Sequence, residues 1–249
     1  MGTDDAAAPT SAFHWNAEVG PDLRVAFTAV GAGNLALHVG DEPDAVHGNR
    51  RRLESAMGVP AGALRFLNQT HSDRVAVLDR ATQGAPDADG AVSPDGSEPL
   101  AVLVADCVPI VLADASVADG GTGATAVVHA GRAGVGNGIV ERAVRTLRSH
   151  GALDLAAWIG PSVCGSCYEV PEDMMRAMAQ VLPEAASRTR GGTPALDLPA
   201  AVRVQLARAG ARVEPLDGAG PCCTVENPTL YSHRREPGAG RIAGLVWRT

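Results

Sequence analysis

The sequence predicts an α/β protein with mixed sheets, on three observations. Runs rich in Val, Leu and Ile alternate with segments of helical periodicity. Aromatic residues are only 3% of a chain that is 45% apolar, so Ala, Val and Leu must fill a closely packed, layered core. Segments 65–69 (RFLNQ) and 74–79 (RVAVLD) read as strands joined by a short polar turn, an antiparallel pair that excludes a purely parallel sheet.

In chain order, residues 1–20 read as a disordered tail, and 21–249 as one domain, near the upper size for a single core. LRVAFTAV (23–30) reads as a strand. Asp44 to Met57 reads as a helix with Val46, Leu53 and Met57 on one stripe, stopped by Gly58. The polar stretch 79–99 reads as a long connection. Residues 100–114 are too apolar for an exposed strand; Asp106, Cys107 and Pro109 break them into two buried pieces with a kink. Residues 124–130 form another buried strand. A helix follows over 138–149, with Ile139, Ala143 and Leu147 inward and Gly151 as its cap. Residues 155–163 read as a strand ending in a loop, and 171–183 as a helix bounded by Pro171 and Pro183. Met174, Met175 and Met178 on that helix suit core packing better than ligation. Asp197 caps a last helix stopped by Gly210, and strands follow at 212–217 and 241–247.

The formal net charge is −7 and no segment gathers Lys or Arg on one face, which argues against a nucleic-acid partner. A small anion held by a few Arg remains compatible. No run approaches the ~18 apolar residues of a membrane span. The opening MGTDDAAAPTSAF has no signal-peptide pattern, so a cytoplasmic location is expected. The five Cys (107, 164, 167, 222, 223) are then expected to be reduced thiols.

Three segments place a soft or borderline ligand at the end or break of an apolar strand. They are NQTHSDRV with His71, VADCVPIVL with Cys107, and VVHAGRAGVGNGIV with His129. Strand ends let side chains converge while the sheet fixes their backbones. Two imidazoles and a thiolate suit zinc and leave a fourth tetrahedral position free, the catalytic pattern. Copper accepts the same set. The competing reading is that each residue is an isolated structural side chain.

IGPSVCGSCYEV (159–170) carries a C-x-x-C at Cys164 and Cys167. With no second C-x-x-C, and Cys222 and Cys223 adjacent, it reads as a structural loop with incidental thiols rather than a redox pair or half a zinc site. In YSHRREPGAGR (231–241), Arg234, Arg235 and Arg241 stand beside His233, a set able to hold phosphate or to form a solvated turn. Neither G-x-S-x-G nor G-x-G-x-x-G occurs.

Taken in register, these segments, with HVGDEPDAVHGNRRRL (38–53), DADGAVS (87–93) and the tail CTVENPTLYSHRRE…GRIAGLVW (223–247), resemble the YfiH-like family. It is also called the multicopper polyphenol oxidase or laccase-domain family. The resemblance implies a layered α/β/β/α sandwich similar to the catalytic domain of cytotoxic necrotizing factor toxins. It implies metal ligands at His71, Cys107 and His129. It further implies a zinc-dependent purine nucleoside phosphorylase acting on adenosine, inosine or methylthioadenosine, with adenosine deaminase side activity.

On that expectation the partners are a nucleoside and phosphate, and the chain is a monomer. Asn68 and Gln69 are candidates to bind base or ribose; Arg234, Arg235 and Arg241 are candidates for phosphate. The rivals are a copper polyphenol oxidase, a hydrolase editing peptidoglycan precursors (including a thiol version with Cys107 as nucleophile and His129 as base), and a binding module without activity. The chain departs from the family at HAGRAG, where Arg132 and Ala133 replace Trp and Arg of HAGWRG, and at Ser166, which replaces the first Cys of CCYEV.

Overall fold

The structure, a computed structural model, describes residues 11–249. Two sheets pack face to face and helices cover their outer faces. The first sheet is antiparallel in the order β1 (Phe13–Gly20), β2 (Leu23–Thr28), β12 (Ile242–Arg248), β5 (Leu100–Val104). The second has six strands in the order β11 (Ala211–Glu214), β8 (Leu155–Ile159), β6 (Val108–Asp114), β7 (Thr125–Ala130), β4 (Gly90–Ser93), β3 (Val75–Val77). A small hairpin, β9 (Ala186–Arg188) with β10 (Pro194–Leu196), stands apart.

Period-2 alternation explains why these strands read as continuous apolar runs. Along β6, Val111 and Ala113 pack between the sheets with Phe27, Val102, Val127 and Val246. The alternate residues Ile110 and Leu112 face the helical layer instead. That layer is α3 (Ile139–Ser149) and α5 (Leu198–Arg208), with the short α2 (Arg132–Gly136) and α4 (Glu172–Val181). Val140, Val144 and Leu147 of α3 and Val202 and Leu206 of α5 are fully or almost fully buried there. On the other side, Leu53 and Met57 of α1 (Pro43–Met57) pack on Ala26, Leu245 and Trp247 of the first sheet. The result is the expected α/β/β/α order of layers.

Several predicted boundaries hold. Gly58 caps α1 in the left-handed conformation, donating to Glu54 and Ser55 carbonyls. The Asp197 carboxylate accepts from the Ala200 amide 2.9 Å away at the start of α5. Met178 is buried and Met174 and Met175 pack on the same core.

Three expectations need correction. The tail does not extend to residue 20: Phe13–Gly20 is β1, paired with β2, and only residues 1–10 lie outside the described part. Segments 65–69 and 74–79 are not an antiparallel pair. Arg65 and Asn68 make single parallel bridges to Leu100 and Asp87, while β3 runs parallel to β4. The stretch 79–99 is not all connection, since it contains β4, whose small residues Gly90, Ala91, Val92 and Ser93 are all buried between β3 and β7. Among the described residues no helix is long and apolar enough to cross a membrane.

Candidate metal centre

The kink in 100–114 is a change of sheet. β5 ends at Val104 in the first sheet and β6 begins at Val108 in the second, so Cys107 sits on the crossover between them. The backbone turns at Asp106, whose φ of 84° is in the left-handed region that Asp tolerates better than most residues. Its carboxylate accepts from Thr224 Oγ1 and the Arg234 amide, both at 2.7 Å.

The second candidate ligand, His71, arrives on a turn wound around a buried carboxylate. Asp89, just before β4, accepts from the backbone amides of Thr70 (3.2 Å), His71 (3.0 Å) and Ser72 (2.6 Å), and from Ser72 Oγ (2.7 Å). Three successive amides facing one anion require a curled backbone, and His71 takes φ of 58° to supply it. The third candidate ligand, His129, lies in β7 beside β4 and donates Nδ1–H to the same Asp89 at 2.7 Å. That bond leaves Nε2 of His129 as the free nitrogen, in the carboxylate–histidine arrangement common behind metal ligands.

The three side chains converge. One ligand atom each from His71, Cys107 and His129 lies within 4.8 Å of the others. His71 Nε2 is 3.9 Å from Cys107 Sγ, and the two imidazoles stand edge to face with centroids 4.7 Å apart. Gly131 closes the group: a Cβ there would lie 2.9 Å from His71 Cδ2 and 3.3 Å from Cys107 Sγ.

The electrostatics agree with ligand chemistry. Burial alone would raise the Cys107 thiol, but the charge and hydrogen bond of His129, with those of His71, outweigh it and bring it down to about 6. Burial alone would lower His129, but the Cys107 thiolate and Asp89 carboxylate raise it to about 9. Asp89 is held well below the usual carboxylate range because hydrogen bonds from His129 and Ser72 outweigh its burial. A thiol whose ionisation is favoured by two neighbouring imidazoles, one of them braced by a carboxylate, fits a divalent ion of the zinc type.

The trio opens into a cleft of about 580 Å³. That volume is ordinary for a small-molecule site. Leu103, Val163, Tyr168 and Leu198 give it apolar walls; His38, His233, Arg234 and Arg241 give it polar ones. A larger hollow of about 1290 Å³ lies beside β1 and β11, but neither ligand cluster among the described residues borders it.

The expected substrate residues divide. Arg241 lines the cleft, as does Arg234, whose guanidinium stands 5.0 Å from the Tyr168 ring centroid. Gln69 also lines it, but both ends of its amide are tied to Leu103, at 2.7 and 2.8 Å. Asn68 is not a cleft residue; it donates to Asp87. Arg235 is not one either, because its guanidinium donates to the carbonyls of Thr224, Val225, Asn227 and Leu230 and ties that loop together. Sequence reasoning missed His38, Tyr168 and above all Asp89, whose only signal was its place in the DADGAVS segment. Arg132, the first residue of α2, is exposed, and its charge reaches Tyr168.

Comparison with known proteins identifies the family. The family model described as "multi-copper polyphenol oxidoreductase laccase" matches residues 25–249. A Mycobacterium tuberculosis protein named purine nucleoside phosphorylase is 45% identical over 217 residues, 86% of this chain and 84% of its own. A Streptomyces coelicolor protein of the same name is 42% identical over 86% of this chain and 87% of its own. Among solved structures, a Neisseria meningitidis protein superposes with a TM-score of 0.80 at 30% identity, covering 96% of this chain and 99% of the other. YlmD from Geobacillus stearothermophilus gives 0.79 at 26% identity, covering 95% and 99%. With a family model spanning nearly all of it and relatives this similar along their own length, the chain belongs to the laccase-domain, YfiH-like family.

Proposed function

We propose that the protein is a zinc-dependent purine nucleoside phosphorylase that also deaminates adenosine. The observation that carries this reading is the convergence of His71, Cys107 and His129 at the floor of a nucleoside-sized cleft that also holds two Arg. The names of the relatives support the phosphorolytic part. A zinc ion held by the trio would act as a Lewis acid toward a substrate oxygen or nitrogen.

The chain's own residues supply the rest. Leu103, Val163 and the Tyr168 ring offer a flat, apolar seat for a purine. Arg234 and Arg241 offer the cationic forks that a phosphate dianion needs. Phosphorolysis forms a bond from a phosphate oxygen to ribose C1′ and breaks the C1′–N9 bond. The electron pair leaves with the purine, which takes up a proton. Holding phosphate and nucleoside in one half-enclosed cleft supplies proximity and limits competing water. His38, lowered from its ordinary value by burial and by Arg241, Arg50 and His71, serves as a neutral hydrogen-bonding partner rather than a cation.

A multicopper oxidase reading has less support, because only two of the seven His stand within ligand distance of Cys107. The test is hypoxanthine release from inosine, with and without phosphate, by the pure protein and by a His129→Ala control. Phosphate-dependent release confined to the unaltered protein supports the reading; release no greater than the control rejects it.

A further inference from the structure

Four cysteines remain that the centre above does not use, and the fold brings three of them together. Cys164 and Cys167 sit on the loop that follows β8; Cys223 sits on the loop between β11 and β12. Their sulfurs and a Glu226 carboxylate oxygen all lie within 4.8 Å of one another. All three cysteines are free thiols. In a tetrahedral zinc site with Zn–S near 2.3 Å, sulfurs stand roughly 3.8 Å apart, so small side-chain movements would close this group around an ion.

Both loops are already fixed as ligand-bearing turns. The C-x-x-C turn is closed by the Cys167 and Tyr168 amides donating to the Cys164 carbonyl, both at 3.0 Å. The loops are joined by Ser162 N to Cys222 O (3.0 Å) and Thr224 N to Ser162 O (3.1 Å). Glu226 lies 3.4 Å from Cys167 Sγ, and Arg190 pairs with the same carboxylate oxygen at 2.6 Å. Three thiolates and a carboxylate would leave a zinc ion with two surplus negative charges, and Arg190 offsets one of them.

We propose that Cys164, Cys167, Cys223 and Glu226 bind a second, structural zinc ion that fastens the 159–170 loop to the 221–227 loop. Four protein ligands close the coordination sphere, unlike the three of the catalytic centre. The fastening bears on the cleft. Val163 N bonds to Asp106 O at 3.0 Å and Thr224 Oγ1 to the Asp106 carboxylate at 2.7 Å, so both loops grip the residue that precedes Cys107. Tyr168, one residue past Cys167, forms part of the cleft wall.

The test is zinc content by mass spectrometry, together with cobalt(II) substitution, on the full chain. Two zinc equivalents are expected in the unaltered protein. One should be lost in Cys223→Ser, with a lower Tm, and the other in His129→Ala. Cobalt(II) bound to His129→Ala protein should show the intense sulfur-to-metal absorption of a thiolate-rich site, a readout that leaves the proposed ligands unaltered and does not depend on Cys223→Ser folding. Retention of both equivalents by Cys223→Ser overturns the proposal. So does cobalt-treated His129→Ala protein without that absorption, or an intact mass and thiol count showing a disulfide among the three. Loss of zinc in Cys223→Ser but none in His129→Ala would uphold this site while rejecting the catalytic one.

Discussion

Replacing Gly131 by Ala tests the metal centre with the least disturbance to the rest of the fold. Gly131 has φ of −76° and ψ of 168°, extended backbone that alanine adopts freely. The substitution also restricts the unfolded chain, worth about 0.4–1 kcal/mol in favour of the folded state. The new methyl, however, would stand 2.9 Å from His71 Cδ2, 3.3 Å from Cys107 Sγ and 3.7 Å from His129 Cε1. Carbon atoms in ordinary contact are about 3.5–4.0 Å apart. The His71 ring must therefore retreat by roughly 0.6 Å, several times the ~0.2 Å tolerance of a ligand bond. We expect zinc affinity to fall about 10–100-fold, or ~1.4–2.7 kcal/mol, the range seen when the supports of a ligand are lost. Competition against a chromogenic chelator measures the affinity, and urea unfolding of the zinc-stripped protein checks the fold. Unaltered affinity in a folded variant would mean that these three side chains do not share an ion.

Asp89→Asn should destabilise the protein by about 3 kcal/mol in urea unfolding, because the buried carboxylate accepts from His129, Ser72, His71 and Thr70. A loss below ~1 kcal/mol would show that the turn does not depend on its charge. Arg234→Ala should raise the KM for phosphate without lowering Tm, because its guanidinium lines the cleft, while Arg235→Ala should lower Tm, because its guanidinium donates to the carbonyls of four loop residues; the opposite pattern would reverse these assignments. In chelator-treated protein, Cys107 should pass from thiol to thiolate as pH rises through about 6. Its alkylation rate should climb there, while Cys164 and Cys167, raised by burial, lag behind. A Cys107 midpoint near 8.5, the ordinary thiol value, would contradict the coupling to His129.

Much of this centre is legible in the sequence because each ligand marks the end or interruption of an apolar run, and such runs survive as strands in the core. Their supports are not legible in the same way. Asp89 follows a polar stretch and precedes a short strand, Gly90 to Ser93, in which Val92 alone has the β-branched bulk by which strands are recognised. Proximity in sequence favours a hairpin between 65–69 and 74–79, but the partner of β3 is β4, a parallel neighbour reached through a connection. Asn68 and Arg235 carry the right chemistry beside the right residues, but where their side chains point is decided by Asp87 and by a ring of loop carbonyls. The meeting of Cys223 with Cys164 and Cys167 depends on two loops more than fifty residues apart, and no local spacing announces it.

The single carboxylate of Asp89 fastens one histidine by its side chain and the other by its backbone. The two imidazoles therefore do not form independent modules. Substrate preference can drift through the cleft walls, at Tyr168 or His38, because neither bonds to Asp89. The floor tolerates no such gradual retuning at Asp89: losing that one carboxylate frees both histidines at once.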